Sequence, residues 1–171
     1  DVRNILDGYG VKLDWYECKD CFRIVSKYSD GSPMDVTMPS GIENFINKME
    51  EYVPGSREKM TTLFDLFQEV LDGIAYITAS KGHADSKVLQ ADYPNMLKTG
   101  AYSTKKVFDA LKLPQKCQDI LSTYWSYLGV DMEHLAFIHY AAMVHKYISR
   151  SAYIPAHTSH QLSTAMVERF R

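Results

Sequence analysis

The sequence predicts an α+β fold: a small antiparallel sheet with a layer of about five to six helices beside it. Three observations predict it. Apolar and polar side chains alternate with a period of two over residues 11–18, 22–28 and 34–38. From Pro39 the period lengthens to 3.6 and recurs in segments, with a polar break at 83–100, to about residue 149, and a last strand, turn and helix fill residues 150–171. At 171 residues and 46% apolar composition the chain can bury roughly 70% of its unfolded surface, enough for one core, so a single domain is expected.

In the first part Val11, Leu13 and Trp15 alternate with Lys12, Asp14 and Tyr16, and residues 22–28 alternate similarly, which reads as two half-buried strands. Asp30-Gly31-Ser32-Pro33 is a turn signal, because glycine takes a positive φ without a Cβ clash and an Asp side chain bonds the backbone beyond it. Residues 34–38 alternate again and complete an antiparallel meander over about 11–38.

Ser40 and Glu43 stand at capping-box spacing ahead of an apolar face made by Ile42, Phe45, Ile46 and Met49. Val53-Pro54-Gly55 ends that helix, and Ser56 is placed to cap a longer one with Met60, Leu63, Phe64, Phe67 and Val70 on one side and Gly82 as its stop. Residues 83–100 are polar and contain Tyr93-Pro94, so an irregular connection is expected. Ser103 starts a helix with Val107, Phe108 and Leu111. Pro114 starts another, with Cys117, Ile120, Leu121, Tyr124, Trp125 and Leu128, closed by Gly129, and Asp131 starts a third that runs to about Ile148. This third helix is apolar nearly all round over 135–144, which suits either a central core helix or a wall facing an apolar ligand.

Residues 150–171 read as a strand, a turn at Pro155 and a helix whose Leu162, Ala165, Met166 and Phe170 need a surface to bury against. A crossover unit would continue into another strand, and Asp1 is not an initiator Met, so a piece of a longer protein is expected.

The formal net charge is −2 and the Lys and Arg residues are dispersed, which gives no electrostatic footprint for nucleic acid. The longest apolar stretch, interrupted by His139, falls far short of the ~20 residues that span a bilayer. A soluble chain with at most a peripheral membrane contact is expected, and its three cysteines suggest a reducing, cytoplasmic setting.

Cys18-Lys-Asp-Cys21 has metal-knuckle or redox spacing. A closed zinc site needs four ligands and the one further cysteine is Cys117, while the residues after Cys21 read as strand and not as the helix of a thioredoxin-type pair. Two strand-end thiols and no metal are therefore expected. None of the six histidines makes the i, i+4 helical pair of a metalloprotease. His157 and His160 straddle a helix start at Thr158, with Gln161 placed to complete a second capping box, so a capping turn and a ligand-facing loop both stay open. His139 is either a hydrogen-bonded core residue or a polar group of a pocket. Ser159 beside His160 is no nucleophile pair, since no G-x-S-x-G elbow surrounds it, and Gly8-Tyr-Gly10 lacks a third glycine and precedes a strand, so it is no dinucleotide loop. Tyr124, Trp125, Tyr127, Phe137, Tyr140, Tyr147 and Tyr153 give the aromatic content that a pocket for a long apolar molecule needs, and that any core also has.

Val11-Lys-Leu-Asp-Trp15, Asp20-Cys-Phe-Arg-Ile-Val25, Tyr28-Ser-Asp-Gly31 and Val36-Thr-Met-Pro39 come first. Gly41-Ile-Glu-Asn-Phe-Ile46 and Tyr52-Val-Pro-Gly55 follow, and Ala152-Tyr-Ile-Pro155 through Met166-Val-Glu-Arg-Phe170 close the series. This order resembles the substrate-binding portion of the FAD-dependent phytoene desaturase, carotenoid isomerase and retinol saturase family of oxidoreductases. The resemblance implies the inserted substrate domain of a two-domain flavoenzyme, with FAD held by a separate FAD-binding domain of the parent protein. It implies an apolar small-molecule substrate whose carbon-carbon bonds are dehydrogenated, saturated or isomerised. It also implies substrate contacts at Tyr124, Trp125, His139, Tyr147 and Tyr153, and a turn close to the flavin at Ala156, His157, Thr158 and Ser159, which stand where the family's glycines often lie. No catalytic acid or base follows, and this portion alone is expected to be inert. The alternative is a free-standing α+β module that binds an apolar ligand or a protein without catalysis.

Overall fold

Strand β1 (Trp15–Cys18) pairs antiparallel with the last strand, β4 (Ala152–Pro155), with Trp15 opposite Pro155 and Cys18 opposite Ala152. The computed structural model describes residues 2–170, and the side chains of Trp125 and Ser126 lie outside that description. Two compact units result, one from residues 2–19 with 151–170, the other from residues 20–150.

The β1 pairing corrects the expected meander. Strand β2 (Asp20–Lys27) pairs antiparallel with β3 (Pro33–Pro39), so the alternating runs make two separate two-stranded sheets. Alternation specifies which face of a strand is apolar and leaves its partner open. The β2–β3 turn forms as its residues predict: Gly31 takes φ 82° and Asp30 Oδ1 accepts the Ser32 N–H at 2.8 Å.

In the first unit, helix α1 (Val2–Gly8) lays the Arg3 guanidinium 3.5 Å from the Tyr153 ring centroid. Helix α10 (Ser159–Phe170) follows β4, and Arg169 Nε donates to the Tyr9 carbonyl at 2.8 Å. Ala156 N–H donates to the Asp14 carbonyl at 2.8 Å and continues the strand pairing by one residue. The second capping box does not form: α10 starts at Ser159 and the Gln161 Oε1 atom is buried with no hydrogen-bond partner.

The second unit holds the larger core. On β3, Met34, Val36 and Met38 are buried in strict alternation and meet helix α2 (Ile42–Tyr52) through Phe45 and Met49. The Ser40 capping box is absent, because Gly41 occupies the cap position at φ 88° and sends its N–H to the Ile148 carbonyl at 2.7 Å, while Glu43 turns to Arg57 at 3.2 Å. Only glycine takes such a φ without strain. Helix α3 (Arg57–Ala79) buries Met60, Leu63, Phe64, Phe67 and Val70 as its period predicts.

Residues 83–100, expected to be irregular, coil into α4 (Ser86–Asp92) and α5 (Pro94–Thr99). Asp85 caps the first by accepting the Lys87 N–H at 2.8 Å, and Pro94 opens the second at a position where a missing N–H costs nothing. Helix α6 (Thr104–Ala110) begins behind its Ser103 cap as expected. The helix expected from Pro114 to Gly129 is broken into α7 (Gln115–Ser122) and α8 (Trp125–Leu128).

Helix α9 (Phe137–Ser149) starts six residues later than Asp131 suggests. The Leu135 carbonyl accepts both the N–H (2.8 Å) and the hydroxyl (3.0 Å) of buried Thr104, and the Met132 carbonyl accepts the Lys105 N–H, so residues 131–136 are tied to the start of α6. A carbonyl held that way is lost to a helical ladder. Phe137, Tyr140, Ala141, Val144, His145 and Ile148 of α9 are buried against α2, α3, α5 and α6, which makes α9 the central core helix.

Candidate functional site

Helix α3 carries a second face beside its core stripe. Thr62, Asp65, Leu66 and Glu69, spaced three and four apart, line a groove of about 490 Å³ whose other walls are Asn95, Lys98 and Thr99 of α5, Tyr102, and Lys106, Val107, Ala110 and Leu111 at α6. That size suits a small-molecule ligand.

The groove is apolar because its polar groups are largely occupied. Glu69 accepts the Asn95 N–H (2.6 Å), the Asn95 amide (2.7 Å) and the Met96 N–H (3.2 Å), capping α5 and fixing it on α3. The Thr62 hydroxyl donates to the Glu58 carbonyl and the Thr99 hydroxyl to the Asn95 carbonyl. Leu66, Val107, Leu111 and the methyl groups of both threonines are left as wall, with Lys98, Lys106, Asp65 and the exposed Tyr102 as the remaining polar elements. Close packing holds α5 in place: a Cβ on Gly73 would overlap Met96 Sδ and press on the Tyr93 ring.

None of the residues expected from the sequence to meet a substrate lines this groove. Tyr124 is 1% exposed and packs edge-on to Phe22 (5.0 Å) and Tyr147 (5.5 Å). The Tyr147 hydroxyl donates to the Cys21 carbonyl at 3.1 Å and faces the Tyr127 hydroxyl at 3.3 Å. Both belong to an aromatic cluster of the second unit. Trp125 lies outside the described side chains. His139, offered as core or pocket, is exposed on α9, and the buried histidine is His145, beside Phe64 at 6.4 Å between centroids. Burial pushes its pKa down, with Asp72 pulling weakly the other way. Tyr153 belongs to the first unit, under Arg3. In the turn after β4, Ala156 is half-buried while His157, Thr158 and Ser159 are exposed.

Neither Cys21 nor Cys117 carries a nucleophile signal. Burial raises the Cys21 thiol to about 11; the nearby Tyr124 hydroxyl offsets this a little and the Asp20 charge adds to it. That Tyr124 hydroxyl nevertheless meets no partner at hydrogen-bond geometry, and burial drives its own pKa far up. Burial likewise raises Cys117 to about 11. Among the described residues no group of three or more His, Cys, Asp or Glu side chains could hold a metal ion, and no helix is long and apolar enough to cross a membrane.

Sequence reasoning missed the groove because it took 83–100 as a connection. Asp85 and Pro94 were the signals that could have found α4 and α5, and with them the cation at Lys98. No family model matches the chain, and neither a curated protein nor a solved structure matches it.

Proposed function

We propose that this chain is the substrate-binding portion of a flavin-dependent oxidoreductase acting on carbon-carbon bonds of an apolar, carotenoid- or retinoid-like molecule. The observation that carries it is the β1–β4 pairing. The chain leaves one strand at Cys18, builds a separate unit from residues 20–150, and returns to the neighbouring strand at Ala152, which is the connectivity of an inserted domain. The first unit supports the same reading through its surface. Ile5 (59%), Tyr16 (59%), Ile154 (53%) and Phe170 (78%) are largely exposed, and the pair Tyr16 and Ile154 lies on one face of the two strands. Apolar surface of this kind is what a companion FAD-binding domain would cover.

The strand, turn and helix that the resemblance implies next to the flavin are formed, and Gln161 offers a buried acceptor without a partner at the start of α10. Ala156, His157, Thr158 and Ser159, with Gln161, are the residues that would meet the cofactor. Bound FAD would supply the hydride chemistry, and the protein residues supply position and exclusion of water. The test is the flavin content of the protein purified at its full natural length, with about one flavin per chain expected and a slowed flavin-linked rate in His157→Ala. A folded, full-length protein free of flavin, or an unaltered rate in that variant, overturns the assignment.

A second reading, a free-standing module for apolar ligands, is favoured by the groove between α3, α5 and α6, which the second unit forms from its own residues.

A further inference from the structure

We infer that the α3, α5 and α6 groove takes an amphipathic monoanion, an apolar chain or ring system ending in one carboxylate, with Lys98 and Lys106 meeting the carboxylate. The inference rests on the groove being a binding site, which is the second reading above, and is independent of any flavin.

The walls admit little besides apolar surface. Leu66, Val107 and Leu111 have no polar side-chain atoms to offer, and the hydroxyl protons of Thr62 and Thr99 are committed to carbonyls of their own helices. A polar ligand body would lose its hydration there without replacement bonds. Four charged groups line the groove, and they are not equivalent. Glu69 is held by three N–H donors from Asn95 and Met96, so its charge is already met by α5. Asp65, Lys98 and Lys106 enter no ion pair among the described residues, whereas neighbouring Lys105 is closed on Asp109 at 2.6 Å. Two free ammonium groups therefore stand against one free carboxylate. That surplus selects an anionic head over a neutral or cationic one, and a single surplus charge matches one carboxylate better than a dianion.

The experiment is calorimetric titration of the protein with dodecanoate, dodecanol and dodecylamine, each below its micellar concentration. Dodecanoate is expected to bind about tenfold or more tightly than dodecanol, as a charge-assisted contact implies, with dodecylamine weakest. In Lys98→Met/Lys106→Met the Asp65 carboxylate is the free charge left, so the preference for acid should vanish and the alcohol should bind at least as tightly as the acid, with the melting temperature unchanged because both lysines are exposed. Leu66→Trp should weaken all three. A preference for acid that survives the double lysine variant, or equal binding of acid and alcohol by the unaltered protein, overturns the anionic head and leaves the groove standing. Absence of binding by all three probes, or binding indifferent to Leu66→Trp, overturns the groove itself. Self-association that Leu66→Trp abolishes, without probe binding, assigns it to a second copy of the chain and also overturns the inference.

Discussion

Glu50, in the last turn of α2, accepts the backbone N–H of Arg57, the first residue of α3, at 2.7 Å. The same carboxylate takes the Gly55 N–H at 2.7 Å and the Ser56 hydroxyl at 3.3 Å, so one side chain caps the next helix in place of Ser56. Those backbone donors hold its pKa below the usual carboxylate value. Glu50→Gln is expected to lower the melting temperature by about 2–4 °C at neutral pH. The sign of the pH dependence follows from the depressed folded pKa: the contribution is complete above 4.5, the value of a free glutamate, and is lost as pH falls through the folded value. Thermal melts of both forms should therefore differ at pH 7, and the difference should shrink steadily as the pH is taken down below 4.5.

Two buried tyrosines should respond oppositely to loss of a hydroxyl. Tyr140 donates to the Leu121 carbonyl at 2.9 Å, and Tyr140→Phe removes this buried bond and leaves that carbonyl its longer backbone contact with the Tyr124 N–H at 3.3 Å, at a cost of about 0.5–1.5 kcal/mol. Tyr124 has no such partner, so Tyr124→Phe should be neutral or stabilising. Urea denaturation of both variants checks this, and a costly Tyr124→Phe would point to a role for its hydroxyl that the packing does not reveal.

Gly73→Ala tests the seam that positions α5. The added methyl must displace Met96 and crowd Tyr93, and overpacking of this kind costs about 1–3 kcal/mol, more than alanine's helix propensity returns. The variant should also bind groove ligands less tightly, because Lys98 and Thr99 move with α5. Denaturation and dodecanoate titration report the two effects separately.

His145 should appear as an acid-sensitive element in a window of its own. Its folded pKa lies below the ordinary 6.5, so the unfolded chain takes up a proton first, and stability falls as pH drops from about 6.5 toward the folded value. Replacement by an uncharged side chain, His145→Gln, should flatten the stability profile below pH 6.5. The carboxylate window of Glu50 below pH 4.5 should remain.

With Cys21 and Cys117 both raised to about 11, iodoacetamide at pH 8 should leave them largely unmodified in the native chain and label them on unfolding. Peptide mass spectrometry after digestion gives the site-by-site result. Rapid native labelling of Cys117 would mean that its surroundings open far more readily than its burial implies.

The sequence by itself determined the class of fold and most elements, because those follow from local periodicity. Met34, Val36 and Met38 announce a half-buried strand, Met60 to Val70 an amphipathic helix, Asp30-Gly31 a turn and residues 150–170 a strand, turn and helix; each forms. Only the tertiary structure decided the rest, and each case has the same physical root: several local solutions were of similar energy and distant contacts chose among them. β1 could pair with either alternating strand and took β4, with Trp15 opposite Pro155, 140 residues further along the chain. Ser40 lost its cap to Gly41, whose N–H reaches Ile148 across the core, and Asp131 lost its helix start because Thr104 claims the Leu135 carbonyl. On α9 an apolar run with no polar stripe gave no period to separate His139 from His145, so packing against α3 set which was buried. The groove lay beyond sequence for the same reason: Leu66, Lys98 and Lys106 sit on three helices, and only their packing makes them neighbours.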